Sequence, residues 1–468
     1  MSSIVSINVD DKKDFLKKSL KITLPIMAQN GITNFVSFLD NIMIGRVGTN
    51  EMTGVAICNQ LFFIFYLCVF GAISGAGIFT AQYFGQKNVK GVRDTFRYKI
   101  VMTFIIMVSA LLIFIFLGNN LINLYLLGDA STSDPVLTLM YGKSYMLYML
   151  PGLLFYTIEC CYSSTLRETG ETVVPMIASM VAVFINLIFN YILIYGKFGF
   201  PVLGVIGAAI ATVLSRIVQC LIVMIYTHTH KDRHPFITGC YKSFRFEVGK
   251  LSNFLVMSIP LIINETFWAG GLAAENQAFS VRGLDVVAAM NISSTISNVF
   301  NISFIAFGDA VAIIVGQLLG AGKLKEAKRA AFRIIKYSVM IASTFGILMF
   351  IFAPFFAGIY NITNEVYKLA ISFMRVAAIY MIVAGFLHPV YFTIRSGGRT
   401  IITFLFDSFF LIVVSVPLAY ALVYFTSLDV ISCFVLVNAA DLIKCIVGFI
   451  LLVKGIWIQN IVNDSKNV

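Results

Sequence analysis

Three carboxylates stand inside long apolar runs of this chain. Asp40 lies in Val36-Ser-Phe-Leu-Asp40-Asn41, and Glu265 and Glu275 share a later run. An ionised carboxylate in hydrocarbon costs at least about 2.5–3.5 kcal/mol, so each needs a reason to be there. Such a group can exchange its charge for a proton. Its oxygens can instead join amide oxygens to hold Na+. Asn186 and Asn190, spaced i, i+4, present two amides on one helix face. Ion occupancy at such a cluster can bias one helix arrangement over another. The plainer alternative is a set of satisfied polar contacts between helices. Glu265 and Glu275 are ten residues apart, nearly three turns, and so point to similar faces. Asp309, His388 and Asp407 read first as structural hydrogen-bonders. Asp441 and Lys444, spaced i, i+3, read as a pair that neutralises itself.

The elements that carry these groups are membrane helices. Of the 468 residues 59% are hydrophobic and 12% charged, and the mean hydropathy is +0.89. A soluble domain carries roughly 25% charged residues. A bilayer core of about 30 Å takes roughly 20 apolar residues per helix. The chain offers twelve such stretches, beginning near 20, 54, 98, 137, 174, 203, 253, 286, 334, 367, 401 and 430. The runs are long and continuously apolar, unlike the short alternating segments of a β-barrel. The expected fold is an all-α polytopic membrane protein.

The chain also aligns with itself at a constant shift of 235 residues. Pro25 meets Pro260, Gly48 meets Gly283, Gln82 meets Gln317, Gly85 meets Gly320, and Asp40 meets Glu275. A shift of 228 sets Arg167-Glu-Thr-Gly170 against Arg395-Ser-Gly-Gly398. The halves are two copies of one six-helix unit, expected at 1–228 and 249–468 with a polar linker at 229–248. Glu265 faces Asn30 across the repeat, so that charge is specific to the second copy. Six spans per copy give both the same orientation, as in parallel repeats.

The net charge of +11 is distributed as topology requires. Lys12, Lys13, Lys17, Lys18 and Lys21 precede the first span, and basic residues crowd every second loop thereafter, including Lys323 to Lys336. The alternate loops hold Arg46, Lys197, Arg282 and Lys368. This predicts a multi-pass protein with both termini cytoplasmic, and argues against a nucleic-acid partner. His228, His230 and His234 lie in the linker without a Cys or carboxylate cluster, and read as linker rather than metal ligands. The eight cysteines show no metal or redox spacing. Gly320-Ala-Gly-Lys323-Leu324 lacks the first Gly and the final Ser/Thr of a phosphate loop, so ATP is not the expected energy source. No GxSxG or HExxH motif appears, and no enzymatic chemistry or cofactor is expected. Trp457 after Lys454 reads as an interfacial anchor.

In order along the chain, Leu24-Pro25, Asp40-Asn-Ile-Met-Ile-Gly45-Arg-Val-Gly48, Ala81-Gln-Tyr-Phe-Gly85, Arg167-Glu-Thr-Gly170, Asn186-Leu-Ile-Phe-Asn190, Gly207-Ala-Ala-Ile-Ala-Thr212 and Val315-Gly-Gln-Leu-Leu-Gly320 resemble the multidrug and toxic compound extrusion family of secondary transporters. The resemblance implies twelve transmembrane helices in two pseudo-symmetric six-helix bundles around a cleft. It implies a plasma-membrane protein, taken as a monomer among lipid, that exports organic, often cationic, small molecules by antiport with Na+ or H+. It assigns coupling to Asp40, Asn186 and Asn190, with Thr212 as a sixth-span hydroxyl. Some members carry Asp where Asn190 stands. Another branch uses a seventh-span glutamate and a tenth-span aspartate. Counting from Pro260 sets that glutamate at Trp268, one turn past Glu265, so Glu265 would serve from the same face. The tenth span has no aspartate there, and His388 is nearby. Transient Na+ at Asp40, Asn186, Asn190 or Glu265, or a proton, remain the alternatives. A lipid-linked oligosaccharide flippase of the same superfamily is the runner-up. The few mid-membrane cations, Arg216, Arg375 and Lys444, argue against a pyrophosphate-lipid cargo.

Overall fold

The computed structural model describes residues 9–126, 134–360 and 362–463, except the side chains of 36–38 and 41–42. Both chain ends lie outside the described residues. Within them the chain is helical, with no strand. The helices are α1 (Lys12–Gly45), α2 (Thr49–Gly85), α3 (Val89–Leu126), α4 (Pro135–Glu168), α5 (Val173–Tyr195) and α6 (Gly204–Thr229). They continue with α7 (Val248–Ser280), α8 (Leu284–Gly320), α9 (Leu324–Ala357), α10 (Asn364–Ser396), α11 (Thr400–Phe425) and α12 (Val430–Lys454). By length and composition ten of them can cross a membrane. The other two, α1 and α4, are 34 residues each, about 50 Å of helix.

Helix ends follow from local chemistry. Asp134 caps α4, accepting from the Val136 and Leu137 amides at 2.9 and 3.4 Å, and Pro135 fills the first turn, where its missing N–H costs nothing. Asp429 caps α12 in the same way, at 3.1 Å to both Ile431 and Ser432. The repeat is visible in these ends. Residues Gly45, Thr49, Gly85 and Val89, which bound α1, α2 and α3, map at 235 onto Ser280, Leu284, Gly320 and Leu324, which bound α7, α8 and α9. Pro25 and Pro260 each remove one backbone bond inside α1 and α7.

The chain forms two compact units. Unit 1 takes Ala28–Thr80 and Val89–Leu251; unit 2 takes the N-terminal stretch through Met27, Ala81–Asn88 and the chain from Ser252. In unit 1, α6 packs on both α4 and α5, and α3 packs on α4. In unit 2, α8, α9 and α10 pack mutually, and α12 lies on α10. Helix α8 is buried along most of its apolar length, through Phe307, Val311, Ile314 and Leu318. Most other spans turn side chains such as Phe116 and Phe355 outward, as lipid-facing helices do.

A reciprocal contact inside unit 2 follows the repeat. Gly85 lies against the backbone of Gln317, and Gly320 against the backbone of Gln82; a Cβ at either glycine would overlap that backbone. The segment after α12 closes over this crossing. Gln82 Nε2 donates to the Ser396 and Gln459 carbonyls at 3.0 and 3.3 Å, and its Oε1 accepts from the Ile461 amide at 2.9 Å. Trp457 is fully buried there, with its carbonyl against Gly397. It packs inside unit 2 rather than anchoring at a lipid interface, because Gly397 leaves room for its backbone.

The stretch between α6 and α7 is also more than a tether. Arg93 on α3 donates to the carbonyls of Pro235 and Phe236, and Arg97 to those of Gly239 and Cys240, at 2.6–3.4 Å. Phe236, Ile237 and Cys240 are buried. Burial pushes the His234 imidazole down to about 4, so it is neutral at pH 7.

Candidate functional site

In unit 1, α1, α5 and α6 bring four of the expected residues together. Asn190 Nδ2 donates to Asp40 Oδ1 at 2.6 Å. The Asn186 amide fits best with its nitrogen 2.9 and 3.1 Å from the two Asp40 oxygens and its oxygen accepting from Thr212 Oγ1 at 3.2 Å. The i, i+4 spacing on α5 makes this possible, since both amides reach one carboxylate. Asn186 and Asn190 are buried, and Asp40 is half-buried. Two features define the chemistry. Among the described residues no Lys, Arg or His forms an ion pair with Asp40. Asn190 Oδ1, although buried, accepts from no described group. A half-turn of each amide would aim two more oxygens at the carboxylate. Together with Thr212 Oγ1, the set is all oxygen, the donor type hard cations take.

In unit 2 the carboxylates are held differently. Tyr391 OH donates to Glu265 Oε1 at 3.4 Å, and Asn264 Nδ2 donates to Tyr391 OH and to Asp407 Oδ2 at 3.2 and 3.1 Å. Ser408 Oγ lies 2.7 and 2.8 Å from the backbone and side-chain oxygens of Asn264, so that amide is fully engaged. Cations complete the arrangement. The Arg395 guanidinium stands over the Tyr391 and Phe392 rings at 5.8 and 5.1 Å and within electrostatic reach of Glu265. Lys444 Nζ lies 3.7 Å from Asp407 and 3.6 Å from Asp441. Asp441 also accepts from Tyr380, and Glu275 feels both Asp441 and Lys444.

The backbone of α11 is wound as π-helix over Leu405–Phe409 and Leu411–Ser415. The wider turns bring Asp407 and Ser408 to Asn264. Gly271 admits Leu411, whose side chain fills the space a Cβ would need.

The remaining expected residues stand apart in role. His388 packs among Phe304 and Phe392, at 5.9 and 5.0 Å between rings. Trp268 and Asp309 are half-buried on α7 and α8. Asp407, Lys444, Asn264, Tyr391 and Arg395 carry more of the unit 2 site than their sequence context suggested. The Asn264-Glu265 dipeptide and the alignment of Arg395 with Arg167 were the available signals.

The MatE family model matches this chain over residues 25–192 and 255–421. The chain is 24% identical over 466 residues to the probable multidrug resistance protein NorM of Thermotoga maritima, covering 98% of this chain and 97% of that one. It is 26% identical over 433 residues to the probable multidrug resistance protein NorM of Oceanobacillus iheyensis, covering 89% and 92%. A crystal structure of MATE in the bent conformation superimposes with a TM-score of 0.85 at 19% identity, over 97% of both chains. A MOP superfamily transporter from Pyrococcus furiosus superimposes with a TM-score of 0.83 at 18% identity, over 94% and 96%. These likenesses establish the twelve-helix membrane fold, and the chain belongs to the MatE family, whose members are transporters and not enzymes.

Proposed function

We propose that this protein is a secondary multidrug exporter of the cell membrane, moving organic small molecules outward in exchange for Na+ or H+. The observation that carries the reading is Asp40: a carboxylate in an apolar run, faced by two amides and, among the described residues, paired with no cation. Its charge must be balanced from outside the chain, by a proton or by a cation that Asn186, Asn190 and Thr212 help to hold. Balancing and unbalancing that charge favours one arrangement of the two six-helix bundles, 1–228 and 249–468, over another, which gives alternating access with both termini on the cytoplasmic side. The energy suffices. One charge moving across 100 mV supplies about 2.3 kcal/mol, and a tenfold ion gradient about 1.4 kcal/mol. Expelling a substrate against a hundredfold gradient costs about 2.7 kcal/mol by the same arithmetic.

The test is efflux of ethidium, a fluorescent organic cation, from proteoliposomes under an imposed Na+ or H+ gradient. Efflux that follows one of the gradients supports antiport; efflux indifferent to both contradicts it.

A further inference from the structure

The two units place a polar triad at equivalent positions, and its charge differs. In unit 1, Gln29 Nε2 and Gln219 Nε2 both donate to Ser179 Oγ, at 2.7 and 3.0 Å. In unit 2, Asn264 and Lys444 both face Asp407, at 3.1 and 3.7 Å. Gln29 and Asn264 are mates at the 235 shift, and Ser179 and Asp407 at the 228 shift. Gln219 and Lys444 each stand ten residues before the last residue of their helices, Thr229 and Lys454. A neutral Gln–Ser–Gln set in one copy is thus an Asn–Asp–Lys set in the other.

The unit 2 ammonium sits as a bound cation would. Its side chain is 11% exposed and nearly equidistant from two carboxylates, Asp407 and Asp441. The Phe406 and Phe410 rings flank it at 5.9 and 5.6 Å. Asn264 orients Asp407, Tyr380 orients Asp441, and Glu275 lies within electrostatic reach. Lys444 thus meets one of the carboxylate charges of this cluster from within the chain.

We infer that Lys444 is a resident counter-cation, a tethered ammonium that takes between Asp407 and Asp441 the place an exchangeable cation takes beside Asp40. The inference rests on the reading of Asp40 as the coupling carboxylate. It makes Lys444 a positioning residue that sets how many ions are exchanged per substrate, because it supplies one positive charge of the unit 2 cluster from within the chain. Removing the lysine's charge turns the unit 2 carboxylates into a second exchange site.

The count is read as the ethidium gradient that just balances an imposed ion gradient in proteoliposomes of the full chain, at zero membrane potential. If one ion moves per ethidium in the wild type, a tenfold ion gradient holds a tenfold ethidium gradient. Lys444→Gln, exchanging one ion more, then holds a hundredfold gradient. Lys444→Arg and the double variant Asp407→Asn/Lys444→Gln hold the wild-type gradient. An active Lys444→Gln with the wild-type balance overturns the inference. Should Lys444→Gln fail to fold, folding of the double variant with the wild-type balance supports the role in charge compensation, and failure of the double variant overturns it. Asp40→Asn separates the two readings. If it leaves export gradient-driven, the coupling reading falls. If it abolishes gradient-driven export while Lys444→Gln keeps the wild-type balance, only the role of Lys444 falls.

Discussion

Asp40 in unit 1 and Asp407 in unit 2 are both intramembrane aspartates steadied by an asparagine, yet they occupy opposite electrostatic situations. Asp40 has amide partners at 2.6–3.1 Å and, among the described residues, no paired cation. Asp407 has one amide partner at 3.1 Å and an ammonium at 3.7 Å. A buried charge is tolerable when paired and expensive when not. Among the described residues, one unit therefore leaves its aspartate without an internal cation, and the other pairs its aspartate with one. Duplication kept the helices and their ends, and the chemistry diverged at a few side chains.

The comparison can be broken most severely by moving the charge. Gln219→Lys places an ammonium beside the neutral Ser179 rather than beside an aspartate, and should cost about 3–5 kcal/mol, read as lost thermal stability of the purified protein. Adding Ser179→Asp should return most of that loss by recreating the unit 2 pair. If the double variant is no more stable than the single one, the two loci are not equivalent.

A smaller effect separates the two asparagine environments. Asn264→Ala strands Asp407 and Ser408 and should destabilise by about 1–3 kcal/mol, with the ion dependence of transport unchanged. Asn186→Ala should leave folding nearly intact and weaken Na+ dependence of export about tenfold if Na+ is the coupling ion. If protons are the coupling ion, Asn186→Ala should leave proton-driven export close to wild type. Measuring both gradients in one variant decides between the ions.

The scaffold should respond symmetrically where the chemistry does not. Gly85→Ala and Gly320→Ala each push a methyl into the other helix's backbone, and both should cost about 1–3 kcal/mol. Unequal costs would show that the crossing is not a true pair.

The smallest expected effect lies in the segment between α6 and α7. His234 has its folded value depressed to about 4, below the ordinary value near 6.5. Its contribution to holding that segment is complete above about pH 6.5 and is lost as pH falls towards 4, because the unfolded segment takes up the proton first. Limited proteolysis at 230–247 should therefore quicken below pH 6.5, and His234→Phe should flatten that dependence.

Much of this was legible in the sequence. The 235-residue shift matched the turns after α1, α2, α7 and α8 because Gly48, Gly85, Gly283 and Gly320 stand there, whereas the expected starts near 20, 98 and 334 lie inside α1, α3 and α9, whose first turns are charged. Asp40, Asn186 and Asn190 were legible because a carboxylate and an i, i+4 amide pair stand out in an apolar run. The sequence paired Lys444 with Asp441, three residues away, and counted it among the mid-membrane cations. Its contact with Asp407 depends on how α11 and α12 are rotated about their axes, and π-helical turns in α11 alter that phase. The neutral triad Gln29, Ser179 and Gln219 left no mark because uncharged polar residues are ordinary in such helices. Trp457 was misplaced because the same Lys-x-x-Trp pattern fits both a lipid interface and a segment folded back onto its own helices.

The central claim is that the exchangeable charge resides at Asp40. Its most direct test is ion-driven ethidium efflux from proteoliposomes bearing wild type, Asp40→Asn or Glu265→Gln. The account predicts that Asp40→Asn abolishes gradient-driven efflux while ethidium still binds, and that Glu265→Gln, within electrostatic reach of Arg395, stays gradient-driven. Gradient-driven efflux that survives Asp40→Asn would contradict it.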